Sequence, residues 1–249
     1  MAEQQGKVPL SNDRVPASTN ELKVSLILPA LNEAPSLVQV LDSLPPGVFS
    51  QVIVVDNGST DGTGGMAAAH GATVVREDRR GYGRACLAGM AHLAPDGDVV
   101  VFMDADGSDD PQDTPRLLEP IRMGEADLVI GARRGPRVER GALLPHQWLG
   151  NALATWLLQR LYHFRYTDLG PFRAIRRQAL FTLDMQDPDY GWTVEMQIKA
   201  LQQGLRVQEV AVGYRPRIGT SKISGNPWNS LLAGVKILWT VLRLRKKQL

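Results

Sequence analysis

Short apolar runs alternate with helix-forming segments through the first half of this chain, and this alternation limits the possible folds more than any other feature. The runs occupy residues 24–28, 52–55, 72–75, 99–103 and 127–131. Short strands at this spacing, with helices between them, are typical of βαβ units and a mostly parallel sheet. Because the runs are almost continuously apolar, we expect helices to cover both faces of the sheet. The sequence therefore predicts an α/β fold built on one central, mostly parallel sheet.

The second half of the chain is less regular but continues the pattern. Helical periodicity covers residues 143–162, 192–203 and 228–244, and strand-like runs cover residues 172–175 and 205–214. Of the 249 residues 43% are hydrophobic, which is enough for one large core. The division that we expect is a disordered polar arm over residues 1–21, one domain over residues 22–225, and an amphipathic, basic helix over residues 226–249.

Composition excludes several classes of function. The formal net charge is only +2, so nothing in the overall charge calls for nucleic acid as a partner. Cys86 is the only cysteine, which excludes an internal disulfide and a multi-cysteine metal site. The N-terminal stretch lacks the apolar segment of a signal peptide, and no run reaches the ~18 apolar residues of a membrane span. We therefore expect a cytoplasmic protein, or one on the cytoplasmic face of a membrane.

Two carboxylates follow the fourth apolar run. Asp104 and Asp106 flank Ala105 directly after residues 99–103, at the carboxyl end of a predicted buried strand. Ligands bind at such strand ends in open α/β sheets. Two carboxylates placed together repel unless a cation lies between them, and their oxygens suit Mg²⁺ or Mn²⁺. The alternative is structural: Asp104 would cap a helix and Asp106 would form a turn with Gly107.

Two other predicted strands also end in polar residues. The first ends in residues 29–33, where Pro29 is expected to stop the strand, Asn32 to cap the next helix and Glu33 to complement its positive end. The second ends at Asp56, which is placed to accept hydrogen bonds from a ribose or a base edge. Asp61, in the same segment, is expected to open a helix. The dinucleotide-binding pattern is absent, because no G-x-G-x-x-G follows the first strand.

The order of these segments carries a resemblance. P-A-L-N-E at 29–33, D-N-G-S-T-D-G-T at 56–63 and D-A-D at 104–106 are followed by G-A-R-R at 131–134, T-D-L-G-P-F-R at 167–173, G-W-T-V-E at 191–195 and G-T-S-K at 219–222. This set resembles family-2 glycosyltransferases, and within them the dolichyl-phosphate (polyprenyl-phosphate) mannose and glucose synthases. The resemblance covers about residues 23–225. It implies a single Rossmann-like nucleotide-diphospho-sugar transferase domain.

The resemblance also implies roles for individual residues. The residues that would contact the nucleotide-sugar donor are Pro29, Ala30, Asn32, Glu33, Asp56, Asp61, Asp104 and Ala105. Asp104 would touch the ribose or the metal, and Asp106 would bind the Mg²⁺ or Mn²⁺ that bridges the diphosphate. Arg133 would lie near the acceptor phosphate or sugar, Arg173 would meet the phosphates, and Lys222 would close over the donor from a mobile loop. One departure is Ser108, where many mannose synthases of this type carry Gln.

The resemblance predicts an inverting, metal-dependent transfer of a hexose from UDP-glucose or GDP-mannose to polyprenyl phosphate. An ionised phosphate acceptor needs cations such as Arg133 and Arg173 rather than a strong base. The first alternative is transfer to a sugar or another hydroxyl, with Glu195 as the general base. The second is a non-catalytic, membrane-associated protein that binds nucleotide sugars.

The C-terminal segment adds a possible partner. Its apolar residues Trp228, Leu231, Leu232, Val235, Trp239 and Leu242 share one helical face, and Arg243, Arg245, Lys246 and Lys247 follow. An apolar face that carries Trp and ends in basic residues is typical of a helix lying in a membrane interface. The alternative is packing on the domain or on a second subunit. For the helix at 143–162 we favour packing on the domain. Oligomeric state is left open.

Overall fold

A single seven-stranded sheet forms the centre of the protein. The computed structural model describes residues 22–219 and 227–245, with side chains from 232 onward in the second segment. The strands are β1 (Val24–Ala30), β2 (Gln51–Asp56), β3 (Thr73–Arg76), β4 (Val99–Phe102), β5 (Leu128–Ala132), β6 (Arg173–Arg176) and β7 (Val207–Ala211). Their order is β3-β2-β1-β4-β6-β5-β7. All neighbours pair in parallel except β6, which is antiparallel to both β4 and β5. The predicted α/β fold with a mostly parallel sheet is confirmed.

Helices cover both faces of this sheet. They are α1 (Ala34–Asp42), α2 (Thr63–Ala69), α3 (Tyr82–Met90), α4 (Thr114–Arg122), α5 (Pro145–Tyr162), α6 (Arg177–Thr182), α7 (Trp192–Gln202) and α8 (Pro227–Arg245). Residues of α1, α2 and α4 pack on one face, and residues of α3, α5, α6, α7 and α8 pack on the other. In β1, the side chain of Ile27 lies on the face covered by α3, whereas the side chains of Leu26 and Leu28 lie on the face covered by α1. Side chains alternate between faces, so a strand covered on both sides must be apolar throughout.

Three local features differ from what the sequence analysis leads us to expect. Pro29 does not stop β1, which continues to Ala30 with Pro29 opposite Val55. The Ile27 carbonyl accepts a hydrogen bond on the β4 side of β1, and the Ala30 carbonyl accepts one from Asn57 on the β2 side. Because the backbone groups of successive residues alternate between the two sides, the backbone nitrogen of Pro29 points to the β4 side. There Pro29 lies beyond the last residue of β1 that pairs with β4. A proline at that position removes no ladder hydrogen bond. The helix that Asp61 was expected to open begins two residues later, at Thr63, after Gly62 in the left-handed conformation. The short α6, which directly follows β6, was not predicted.

Over residues 232–245, the C-terminal helix α8 packs on the domain through one face. Thr240, Val241 and Leu244 are buried, and the hydroxyl of Tyr162 in α5 donates a hydrogen bond of 3.1 Å to the Val241 carbonyl. Leu232 and Trp239 are exposed on the opposite face. Across residues 22–219 and 227–245, the helices all fall short of the length and apolar character that a membrane crossing requires.

Candidate active site

The carboxyl ends of β1, β2 and β4 meet at one edge of the sheet and border a cavity of about 370 Å³. These three strands are adjacent and parallel, so their ends point the same way. The cavity is lined by Pro29, Ala30, Leu31, Glu33, Asn57, Arg80, Gly81, Tyr82, Ala85, Asp104, Ala105, Asp106, Asp189, Tyr190 and Arg217. Five of the predicted donor-contacting residues, and Asp106, therefore lie at one cavity.

The loop after β4 concentrates negative charge. The Asp106 carboxylate accepts hydrogen bonds from the Ser108 backbone NH (2.9 Å) and hydroxyl (2.6 Å). The backbone NH of Asp104 lies 3.3 Å from a carboxylate oxygen of Asp109, a buried acid that the sequence analysis did not single out. Burial, followed by the charge of Asp106, raises the pKa of Asp104 to about 7. Burial and the charge of Asp104 likewise raise the pKa of Asp109 well above its ordinary value.

These residues fit a divalent cation. A raised pKa for Asp104 means that the negative charge at this edge is under-compensated, and a cation bound there would relieve the repulsion. Within the part of the chain that the structure describes, no three or more His, Cys, Asp or Glu side chains form a ready-made ligand set. Asp104 and Asp106 would therefore share the ion with water and substrate phosphates, as proteins commonly do with Mg²⁺.

Arg217 supplies the positive charge that faces this loop. One guanidinium nitrogen lies 3.2 Å from the Asp106 carboxylate and another lies 2.5 Å from that of Glu33. The backbone around it is fixed to the same loop, because the Ile218 NH donates to the Asp106 carbonyl (2.9 Å) and the Arg215 NH to the Ser108 carbonyl (2.9 Å). Arg217 was not predicted from the sequence, although it stands only two residues before the G-T-S-K segment at 219–222.

We expect Arg217→Gln to tighten Mn²⁺ binding in the absence of nucleotide by about threefold to tenfold, because a unit charge this close opposes a second cation by roughly 1 kcal/mol. Transfer activity should fall in the same variant, because a fixed positive charge that faces Asp106 is lost from the cavity. Titration of Mn²⁺ by electron paramagnetic resonance measures the first effect. Arg80→Gln, at an exposed arginine of the same cavity, is the control. Weaker Mn²⁺ binding in Arg217→Gln would contradict the competition between the two cations.

The end of β2 forms a wall of the cavity through Asn57 rather than Asp56. The Asn57 side-chain amide donates to the carbonyls of Glu77 and Arg79, each at 2.9 Å, and its oxygen accepts from the Gly81 NH at 2.8 Å. Asp56 is buried beside it and accepts from Arg76 (2.8 Å) and from the Ser59 NH (2.8 Å). Asp56 is thus next to the cavity without lining it. Its predicted contact with a nucleoside stays a prediction.

Asn32 and Asp61 hold two loops together. The prediction that Asn32 caps α1 was wrong: its side-chain oxygen accepts from the Thr60 NH at 2.7 Å, and α1 begins after Glu33 without a side-chain cap from that residue. The cap comes from the second loop, where Asp61 accepts from the Ala34 NH (3.1 Å) and Thr63 from the Glu33 NH (3.0 Å). Asp61 also accepts from Thr63 at the start of α2 (3.0 Å to the NH). Neither Asn32 nor Asp61 lines the cavity.

A second cavity, of about 500 Å³, adjoins the first. The two share Tyr82, Asp104, Asp106, Tyr190 and Arg217. The remaining lining residues of the second are Arg133, Gly141, Ala142, Leu144, Gln147, Pro171, Thr193, Tyr214, Pro216, Gly219, Ala233 and Ile237. The aspartates therefore stand where two cavities meet, which is an arrangement that can hold two reactants on either side of one metal ion.

Arg133 lies in the wall of the second cavity, where Asp168 fixes it. Its Nε and Nη2 donate to the two Asp168 oxygens at 2.8 and 2.6 Å, and its backbone NH donates to the same carboxylate at 2.7 Å. Burial alone would raise the pKa of Asp168, but the charge and hydrogen bonds of Arg133 outweigh it and hold that pKa below its ordinary value. The guanidinium also lies over the Tyr214 ring, 5.1 Å from its centre. Among the described residues none accepts a hydrogen bond from Nη1, which can therefore donate to a ligand.

Arg173 and Glu195 do not line either cavity. Arg173 is fully buried, and its guanidinium donates to the carbonyls of Gly170 and, at 2.9 Å, of Thr193. Backbone carbonyls thus accept from its donors, and its predicted contact with phosphates stays a prediction. Glu195 is also buried; it accepts from the Asp187 NH at 2.7 Å and pairs with Lys199 at 2.8 Å. Both residues fix loops beside the cavities. Lys222 lies outside the described residues.

Comparison with known proteins agrees with this geometry. Residues 25–182 match the model of glycosyl transferase family 2. An uncharacterised glycosyltransferase of Mycobacterium tuberculosis is 40% identical over 223 residues, which cover 88% of this chain and 97% of that protein. The undecaprenyl-phosphate mannosyltransferase of Micrococcus luteus is 34% identical over 246 residues, which cover 90% of this chain and 99% of that protein.

A solved structure shows the same fold with ligands bound. Glucosyl-3-phosphoglycerate synthase of Mycobacterium tuberculosis, in complex with Mn²⁺, UDP and glucosyl-3-phosphoglycerate, is similar with a TM-score of 0.73 and 28% identity, covering 92% of this chain and 82% of that one. The chain belongs to glycosyl transferase family 2. It is a glycosyltransferase that uses a nucleotide sugar, so the alternative of a non-catalytic binding protein is set aside.

Proposed function

We propose that this enzyme transfers a hexose from UDP-glucose or GDP-mannose to the phosphate of a polyprenyl phosphate, with inversion at the anomeric carbon. The nucleoside and diphosphate occupy the first cavity, where Pro29, Ala30 and Glu33 contact the donor. The acceptor phosphate enters the second cavity. The two reactants then meet at Asp104 and Asp106, which both cavities share.

The choice of acceptor depends mainly on one observation. Among the described residues that line the second cavity, Asp104 and Asp106 are the only carboxylates, and both are needed to hold the metal ion. A hydroxyl acceptor requires a base to take its proton, whereas a phosphate monoester is already largely ionised near neutral pH. The wall instead offers the Arg133 guanidinium together with apolar residues such as Leu144 and Ile237. This composition favours an anionic phosphate attached to an apolar chain.

The chain's residues act on charge and position during the transfer. A bound Mg²⁺ or Mn²⁺ supplies Lewis-acid stabilisation of the negative charge on the leaving nucleoside diphosphate. Arg217 adds a fixed cation on the same side, and Arg133 orients the acceptor oxygen towards the anomeric carbon from the opposite side. No proton has to be removed from the attacking oxygen, because the acceptor is ionised. The buried Asp168 holds Arg133 in place for this step.

Transfer to a small hydroxyl acceptor is the second candidate, favoured by the similarity to glucosyl-3-phosphoglycerate synthase. Phosphoglycerate also carries a phosphate and would use the same arginines. The Glu195 base of this alternative has no support from the geometry, because both carboxylate oxygens already accept backbone NH groups.

A panel of donors and acceptors tests the proposal. The donors are UDP-glucose and GDP-mannose, each with Mn²⁺ or Mg²⁺. Each donor is tested with a short, water-soluble polyprenyl phosphate, with 3-phosphoglycerate and with buffer alone. The release of nucleoside diphosphate is measured. We expect acceptor-dependent release with the polyprenyl phosphate for one donor, and none after chelation of the metal. Release that requires 3-phosphoglycerate and does not occur with the polyprenyl phosphate would instead support the second candidate, transfer to a small hydroxyl acceptor.

A further inference from the structure

Two neighbouring helices each carry large apolar side chains on the outside of the protein. The most exposed apolar residues of α5 are Trp148, Leu149 and Trp156, and those of α8 include Val235, Trp239 and Leu242; each of these six is between 50% and 65% exposed. We call these six residues the α5–α8 surface. The two helices lie against each other, as the hydrogen bond from Tyr162 to the Val241 carbonyl shows. Contiguous apolar surfaces that include several Trp mark an interaction site.

The charged side chains on these two helices are all basic, and the carboxylate next to them, that of Asp187, is fully buried beneath Lys236 (3.3 Å) and Arg243 (3.8 Å). The sequences of α5 and α8 contain no Asp or Glu, and Arg160 and Arg245 are exposed on them. Lys236 and Arg243 lie over the Trp239 ring, 5.2 and 4.7 Å from its centre. A second copy of the chain docked through the same face would bring these cations against one another. An anionic surface would instead be attracted to them.

The α5–α8 surface is also continuous with the second cavity. Leu144, just before α5, both lines that cavity and is exposed. On α8, Ala233 and Ile237 line the cavity, whereas Val235 and Trp239, interleaved with them along the helix, face outward. A partner bound to the α5–α8 surface therefore lies at the entrance of the second cavity, through which an acceptor reaches Asp104 and Asp106.

We propose that the α5–α8 surface docks on a lipid bilayer that contains anionic lipids, with both helices lying in the plane of the interface. Trp side chains prefer the headgroup region, and basic residues beside them gain from the negative surface potential. The docked orientation brings the second cavity to the bilayer, so that the phosphate of a lipid acceptor enters without leaving the membrane. The delivery of acceptor rests on the proposed function, whereas docking itself does not.

Vesicle sedimentation with the full-length protein tests the docking. The vesicles contain phosphatidylcholine and phosphatidylglycerol at 3:1, with phosphatidylcholine alone for comparison, and no acceptor. We expect binding to the anionic vesicles that weakens with salt. Leu149→Ser/Trp156→Ser on α5 and Val235→Ser/Leu242→Ser on α8 should each lower the partition coefficient by about tenfold or more, since each change removes two large apolar groups from the interface.

The control variant is Met123→Ser/Phe181→Ser, which removes two exposed apolar side chains outside the surface and should bind like the wild type. Equal binding by all three variants would overturn the proposal. So would a wild-type dimer, measured by light scattering, that the α5 and α8 variants convert to monomers, because the surface would then be a subunit interface.

A second measurement separates this inference from the proposed function. The surface variants should transfer sugar to the short, water-soluble polyprenyl phosphate at the wild-type rate, but more slowly to a long-chain acceptor embedded in vesicles. Equal slowing with both acceptors would overturn the docking role. If the wild type binds vesicles but transfers to neither acceptor, the docking stands and the proposed acceptor fails.

Discussion

Asp106→Asn is expected to lower the rate of sugar transfer by about 10²–10³-fold, equivalent to about 3–4 kcal/mol of transition-state stabilisation. The substitution keeps the size of the side chain and its contact with Ser108 but removes the negative charge through which Asp106 is proposed to bind the cation. Steady-state release of nucleoside diphosphate at saturating Mn²⁺ measures the loss, and circular dichroism checks that the fold is retained.

Asp110→Asn is the matched control for this prediction. Asp110 belongs to the same loop, but it caps the short helix at Pro111–Asp113 and does not line either cavity. Its amide replacement can still accept the hydrogen bond from the Gln112 NH. We therefore expect near-wild-type transfer from Asp110→Asn. Transfer by Asp106→Asn at the rate of this control would reject the metal-binding role of Asp106.

Asp168→Ala is expected to lower the free energy of unfolding by about 3–5 kcal/mol, because it leaves the buried Arg133 guanidinium without its counter-ion. The pKa of Asp168 lies below its ordinary value in the folded protein, so its stabilisation is present at pH 7 and is lost only as the pH falls below about 4. Urea unfolding at pH 7, followed by tryptophan fluorescence, measures the difference.

Two comparisons keep this second prediction testable. Asp96→Ala removes one partner of an exposed ion pair with Lys23 and should cost less than about 1 kcal/mol. The double variant Arg133→Met/Asp168→Leu, which removes both charges, should recover much of the stability that Asp168→Ala loses. A loss in Asp168→Ala no larger than that in Asp96→Ala would show that the buried pair is not a major source of stability.

The sheet and the position of the site were predictable because they depend on local sequence. Buried parallel strands must be apolar on both faces, and the Asp104–Asp106 pair directly follows one of them. Arg217 was not predictable in this way. It reaches Asp106 from more than a hundred positions away in the sequence, and only the pairing of its segment with the loop at Gly107 and Ser108 brings it there.

The positions of Arg173 and Glu195 show a second limit on predicting a site from sequence. Arg173 was assigned to phosphates through the resemblance, and Glu195 was named as the general base of the alternative with a hydroxyl acceptor. Burial instead follows from the packing of β6 and α7, where backbone groups of neighbouring loops surround both side chains. A sequence shows which residues carry charge, but whether a charge meets a ligand or a backbone group is decided by tertiary packing.

The antiparallel strand β6 separates β4 from β5 in the sheet, although it follows both of them in the chain. During synthesis the unit β3-β2-β1-β4 can assemble as soon as Phe102 has emerged, but its β4 edge has no partner until Arg176 is available. The strand β5 emerges in between and cannot join this edge directly. Folding on the ribosome must therefore pass through a stage with an open sheet edge, at which the nascent chain is most exposed to mispairing and to chaperones.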